Sequence, residues 1–315
     1  MPLDPLFADR LRFFAELPFA EALAKYEAPV SVYTSPPIDT EEVVIDGPNG
    51  AINARIYRPA GKAVSDATMP GLVWFHGGGF TQGDYNMNES DVVSREIAHR
   101  LHAVVMSVDY RLVTETVKFP VPQLDGIAST RWFAQNADRL GVNPKKIFVG
   151  GISAGGCLAA SVAVMDRDSG DNYLAGQLLN CPIAHFVAPP FSNELMGKLE
   201  EDPKALVISR EYLDDNNKFL VGEKPIEELE PYWFPGEVSD LAGLAPAQII
   251  NCEYDTLRAS GEKFAAQLAM AGNTVEVLTQ AGVPHAHINR YPADCKQMIE
   301  TLDNMVRFMQ ETEKA

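Results

Sequence analysis

The sequence predicts an α/β protein, with a mostly parallel central sheet flanked by helices and covered by a helical cap. Three observations carry this. Short apolar, β-branched runs recur at 72–75, 103–108, 147–149, 178–179, 248–250 and 275–278. Between most of them lie helical periodicities at 92–101, 124–136, 154–165 and 261–270. That alternation marks strands joined by crossover helices. Finally, the pattern breaks between about 185 and 235, where Pro, Asn and acidic residues thicken and no strand rhythm survives. An insertion there follows the C-terminal end of a strand, where ligands bind in open α/β sheets.

In chain order, the first 40 residues mix helical spacing (Leu6, Phe7, Leu11, Phe14, Leu17) with Pro18, Pro29, Pro36 and Pro37. They read as short helices and turns that join the cap. Residues 42–45 and 51–57 form two strands about a turn at 46–50, where Asp, Gly, Pro and Asn cluster. The expected organisation is thus cap helices at 1–40, core at 41–184, cap insertion at 185–235 and core again at 236–315.

Composition narrows the function. With 315 residues, 46% of them hydrophobic, the chain can bury a large core. The net charge of −17 comes with no basic run, which argues against nucleic acid or an anionic membrane as partner. No signal-like segment and no spanning apolar run is visible. Cys157, Cys181, Cys252 and Cys295 lack metal-ligand spacing. A reduced, cytoplasmic setting is expected, with no metal or organic cofactor.

The chemistry is carried first by Gly151-Ile152-Ser153-Ala154-Gly155, which ends a predicted strand and opens a predicted helix. A Ser on such a strained turn stands exposed above the sheet as a nucleophile. Second, His76-Gly77-Gly78-Gly79-Phe80 follows the strand at 72–75. A glycine run lets backbone N–H groups approach a developing oxyanion, and the donors expected are Gly77, Gly78 and Ala154. A serine nucleophile needs a histidine base oriented by a carboxylate, in the order Ser, acid, His. His185, His285 and His287 lie past Ser153; His285 follows the last predicted strand, with His287 its close competitor. Glu253 and Asp255 are the candidate acids.

With these motifs in place, the sequence resembles the hormone-sensitive-lipase-like family of α/β-hydrolases over about residues 55–290. Besides the glycine loop and the elbow, Asp109-Tyr110-Arg111-Leu112 and Phe119-Pro120 match its pattern. Glu253-Tyr254-Asp255-Thr256-Leu257-Arg258 is similar to its acid motif, which selects Asp255, and Gly282-Val283-Pro284-His285 to its base motif, which selects His285. Ile152 replaces an acidic residue, Cys157 stands where Asn is frequent, and His287 replaces Phe. The resemblance implies a serine esterase acting on a small-molecule carboxylic ester, with Phe80, Tyr85, Phe186, Tyr212, Trp233, Phe234 and His287 lining its pocket. It also implies that two chains could pair as a homodimer. The alternatives are an amide or lactone hydrolase, an acyltransferase, or a non-catalytic small-molecule receptor of the same fold.

Overall fold

A computed structural model describes residues 1–61, 68–201, 208–222, 224 and 228–312. Three short helices open the chain: α1 (Pro5–Leu11), α2 (Phe13–Glu16) and α3 (Phe19–Glu27). Then come the hairpin β1 (Ile38–Gly47) and β2 (Gly50–Pro59), β3 (Met69–Phe75), α4 (Asn88–Leu101) and β4 (Val104–Asp109). Next are α5 (Val121–Gln135), α6 (Ala137–Leu140), β5 (Val142–Ile152), α7 (Ala154–Ser169) and β6 (Leu174–Asn180). Helices α8 (Asn193–Glu201) and α9 (Arg210–Val221) precede β7 (Ala247–Tyr254), α10 (Arg258–Met270), β8 (Val275–Pro284) and α11 (Lys296–Thr312).

The strands form one eight-stranded sheet in the order β1-β2-β4-β3-β5-β6-β7-β8. The β1–β2 and β2–β4 pairs are antiparallel, and every other pair is parallel. Each predicted run lies inside an observed strand, except that the run at 103–108 begins one residue ahead of β4. The strands are longer than the runs because polar residues occupy their ends, as in β8, where Thr279 and Gln280 continue the pairing with β7.

Both faces of the central strands are dry, and the period of two sorts their side chains. Val73 and Phe75 of β3 join one core cluster with Phe133 of α5, Leu158 and Val162 of α7, and Phe264 of α10. Leu72 and Trp74 join the other, with Ile97 of α4 and Met298, Leu302 and Met305 of α11. Burial on both faces explains why these central strands read as continuous apolar runs. Helix α11 is an element that the apolar runs did not signal. It keeps Met298, Leu302, Met305 and Met309 on one face among charged neighbours, a 3-4 spacing that buries one stripe.

Candidate active site

Strand β5 runs straight into the elbow. Ser153 sits at φ 55°, ψ −117° between β5 and α7, a conformation that is costly for a residue with a side chain and persists where the surroundings enforce it. Two bonds do so: the Ser153 N–H donates to the Asn180 carbonyl at 2.9 Å, and the Ser153 carbonyl accepts from Cys157 N–H at 3.0 Å. A Cβ on Gly155 would stand 2.0 Å from the Phe75 carbonyl oxygen. Only glycine there lets α7 start this close to β3.

The three chemistry-bearing side chains meet above the C-terminal ends of β5, β7 and β8. The Ser153 hydroxyl donates to His285 Nε2 at 3.0 Å. The other ring nitrogen, Nδ1, donates to Asp255 Oδ2 at 2.7 Å. Asp255 is held in turn by the Leu257 N–H on Oδ1 at 2.9 Å, and its side chain is fully shielded from solvent. Burial lowers the His285 pKa, but the Asp255 carboxylate and the Cys181 thiol against the ring outweigh it, so it stands well above the ordinary value. Such a relay can take a proton from Ser153 while the carboxylate stabilises the imidazolium.

The rivals for these roles are engaged elsewhere. Glu253 accepts the Gly282 N–H at 2.6 Å and pairs with the Met1 ammonium at 2.8 Å. His185 bonds Ser260 and Gln267. His287 is 2% exposed, with Nδ1 3.3 Å from the Cys252 sulfur and Nε2 2.8 Å from Thr301 Oγ1. It packs behind the base and does not line the cavity, which corrects the expectation from sequence.

The glycine loop needs a second correction. The Gly77 N–H donates to Glu89 Oε1 at 2.6 Å and is therefore not free for an oxyanion. Among the described residues, the N–H groups of Gly78, Gly79 and Ala154 have no protein acceptor. Gly78 adopts φ +105°, and a Cβ there would meet the Gln82 carbonyl oxygen at 1.9 Å. The loop reversal thus demands glycine and turns the following amide away from the course of Gly77. Tyr110 holds the loop from below, its hydroxyl donating to the His76 carbonyl at 2.8 Å and its ring stacked on His76 at 4.2 Å.

Glu89, at the start of α4, escaped the sequence reading. In Asn88-Glu89-Ser90-Asp91 it looks like an ordinary acidic first turn. It is instead 2% exposed on the cavity wall. Burial pushes its carboxyl up to about 8, against the opposing pull of the Gly77 N–H. Oε2 has no hydrogen-bond partner among the described residues.

A cavity of about 480 Å³ opens over Ser153, with the glycine loop and Ile152 as walls. Its roof is Glu27 of α3 together with Ile208, Ser209 and Tyr212 at the start of α9. Of the seven side chains expected to line a pocket, Tyr212 does so. Phe80, Trp233 and Phe234 are almost wholly buried and Phe186 nearly so. Phe80 and Trp233 meet Phe119 edge-on at 4.9 and 6.0 Å, while Phe234 packs between Phe119 and Phe186. These rings bind the segment before β7 to the core, because large aromatic surfaces gain most where they are fully covered. Tyr85 lies under the Arg55 guanidinium at 4.4 Å. Asn289, also on the cavity wall, accepts the Glu89 N–H at 3.2 Å.

Residues 72–289 match a family model described as the alpha/beta hydrolase fold. The chain belongs to the α/β-hydrolase family. Within it, the hydrolase falls in the hormone-sensitive-lipase-like branch. It is 33% identical over 253 residues to Esterase LipI of Mycobacterium tuberculosis, covering 80% of this chain and 76% of the relative. To Carboxylesterase NlhH of the same organism it is 35% identical over 243 residues, covering 76% and 72%. Among solved structures, an esterase of Pyrobaculum calidifontis superposes with a TM-score of 0.82 at 31% identity, covering 100% of both chains. No described helix is long and apolar enough to cross a membrane.

Proposed function

We propose that this hydrolase cleaves small carboxylic esters through an acyl-enzyme formed on Ser153. The observation that carries the reading is the continuous relay from Ser153 Oγ through His285 to Asp255, at 3.0 and 2.7 Å, on the floor of the cavity. Ser153 attacks the ester carbonyl as His285 takes its proton, and Asp255 holds the ring and the charge it gains. The N–H groups of Gly78, Gly79 and Ala154 receive the tetrahedral oxyanion. The imidazolium then protonates the departing alcohol, and a water deprotonated by the same ring releases the acid. The esterase names of the relatives support an ester substrate. A cavity of about 480 Å³ suits short to medium acyl groups.

The cap in this reading comprises the N-terminal helices and the 185–235 region, since both contribute to the roof of the cavity. Two finer points belong to it. Cys157, Cys181, Cys252 and Cys295 are free and buried, which supports a reducing, cytoplasmic setting. Strand β8 is the last strand of the sheet, and no further strand pairs with it among the described residues, which supports pairing of two chains as a homodimer.

The test is hydrolysis of p-nitrophenyl acetate, butyrate, octanoate and palmitate by wild type and by Ser153→Ala. Wild type should favour the shorter esters, and the variant should lose about 10⁴-fold or more in kcat while keeping its circular dichroism spectrum. A folded variant with most of its activity intact would remove Ser153 from the mechanism.

A further inference from the structure

The hydrolytic reading leaves two buried thiols beside the relay unused. Cys181 follows β6 and Cys252 lies in β7, and their sulfurs stand 3.7 Å apart. These sulfurs and a carboxylate oxygen of Asp255 all lie within 4.8 Å of one another. The backbone holds the pair in place: Cys181 turns out of β6 at φ 36°, and its N–H donates to the Ile250 carbonyl at 2.8 Å.

The spacing discriminates between two chemistries. A disulfide needs its sulfurs about 2.0 Å apart. Two thiolates on a tetrahedral zinc ion, with Zn–S near 2.3 Å, lie about 3.8 Å apart. The pair, joined by an S–H···S hydrogen bond from Cys252 to Cys181, is far from a disulfide and already has the metal's span. Two sulfurs with one carboxylate oxygen suit a thiophilic divalent ion rather than magnesium or calcium, which prefer all-oxygen sites. The donors also have outer-shell supports that orient ligands in metal sites. Leu257 N–H fixes Asp255, and His287, anchored on Thr301, abuts the Cys252 sulfur.

We propose that Cys181, Cys252 and Asp255 form an inhibitory site for a thiophilic divalent cation of the zinc class. On binding, both thiol protons pass to the buffer, two metal–sulfur bonds and one metal–oxygen bond form, and the ion sheds hydration waters. Two thiolates and a carboxylate carry three negative charges against the two positive charges of the ion, so the loaded site keeps the single negative charge it had before. The Asp255 carboxylate, shared with a dication, then no longer supports the imidazolium of His285, and turnover stops. The ion enters from the cavity past the His285 ring, whose side chain is 12% exposed.

Only the inhibition depends on the esterase reading, so binding and activity are read separately. Cadmium chloride is titrated into reduced wild type and into Ser153→Ala, following thiolate-to-cadmium charge-transfer absorption in the ultraviolet. Hydrolysis of p-nitrophenyl butyrate by wild type is followed in parallel. The expected result is one ion per chain in both proteins. Wild-type hydrolysis should fall to under a tenth and recover with EDTA. Cys181→Ser and Cys252→Ala, each normalised to its own metal-free rate, should need at least about tenfold more cadmium for both effects. No charge-transfer band, or a band and inhibition unchanged in both cysteine variants, overturns the site. A band without loss of hydrolysis overturns the switch. If metal-free wild type shows no hydrolysis, the esterase reading is at fault, and the absorption titration still decides the site.

Discussion

Glu89 couples a proton to the glycine loop. Its Oε1 holds the Gly77 N–H at 2.6 Å, and burial pushes its carboxyl up to about 8. Below that pH the group is neutral, with Oε1 accepting the Gly77 N–H and the protonated oxygen a donor. Above it a carboxylate sits on the cavity wall, opposing the negative charge that develops on the substrate oxygen. The rate of wild type should therefore fall as pH rises through about 8. Glu89→Gln keeps a carbonyl acceptor for Gly77 and cannot ionise, so its alkaline limb should be flat. Profiles of kcat/KM over roughly pH 7 to 10 compare the two, and superimposable limbs would show that Glu89 does not set the alkaline limit. His287 shows the same dependence on surroundings. In sequence it competes with His285 for the role of base, and two residues of separation send it behind the sheet to Thr301 instead.

At the level of elements, strand ends do the positioning. The elbow joins β5 to α7, Asp255 follows β7 and His285 follows β8. Parallel pairing of neighbouring strands brings all three loops to one edge, a consequence of connectivity shared by open α/β sheets. Helix α11 supports that edge from the opposite face. Leu302 is fully buried there and packs with Met305 and Phe308 against sheet residues such as Phe148. Leu302→Ala should lower the unfolding free energy by about 2–5 kcal/mol. Urea titration would show this as a lower midpoint at unchanged slope, and a loss below about 1 kcal/mol would mean that the site collapses to fill the gap.

At the scale of the molecule, two regions matter. One is the cavity, which Glu27 of α3 and Tyr212 of α9 line from distant parts of the chain. The other is the sheet edge at β8, which presents Val277 44% exposed. If two chains pair along that edge, sedimentation velocity should report twice the 34.5 kDa of one chain. Val277→Lys should then shift the population towards the monomer, because charge on an edge strand disfavours strand addition. A wild type that sediments as a single chain at micromolar concentration would remove the dimer from the reading.

What the sequence determined by itself was local or periodic. The parallel α/β layering follows from apolar runs, because strands buried on both faces must be apolar throughout. The elbow was legible because its motif is one run of consecutive residues between a strand and a helix, although the close contact that demands Gly155 comes from Phe75 at the end of β3. The tertiary structure decided everything set by partners far away in the chain. It sent Phe80, Trp233 and Phe234 to the core and Tyr212 to the cavity, since an aromatic side chain reads alike in either place. It engaged Gly77 with Glu89 and left Gly79 free, since a run of glycines does not say where each amide points. It set the sulfurs of Cys181 and Cys252 3.7 Å apart beside Asp255, since strand register alone brings together residues 71 positions apart.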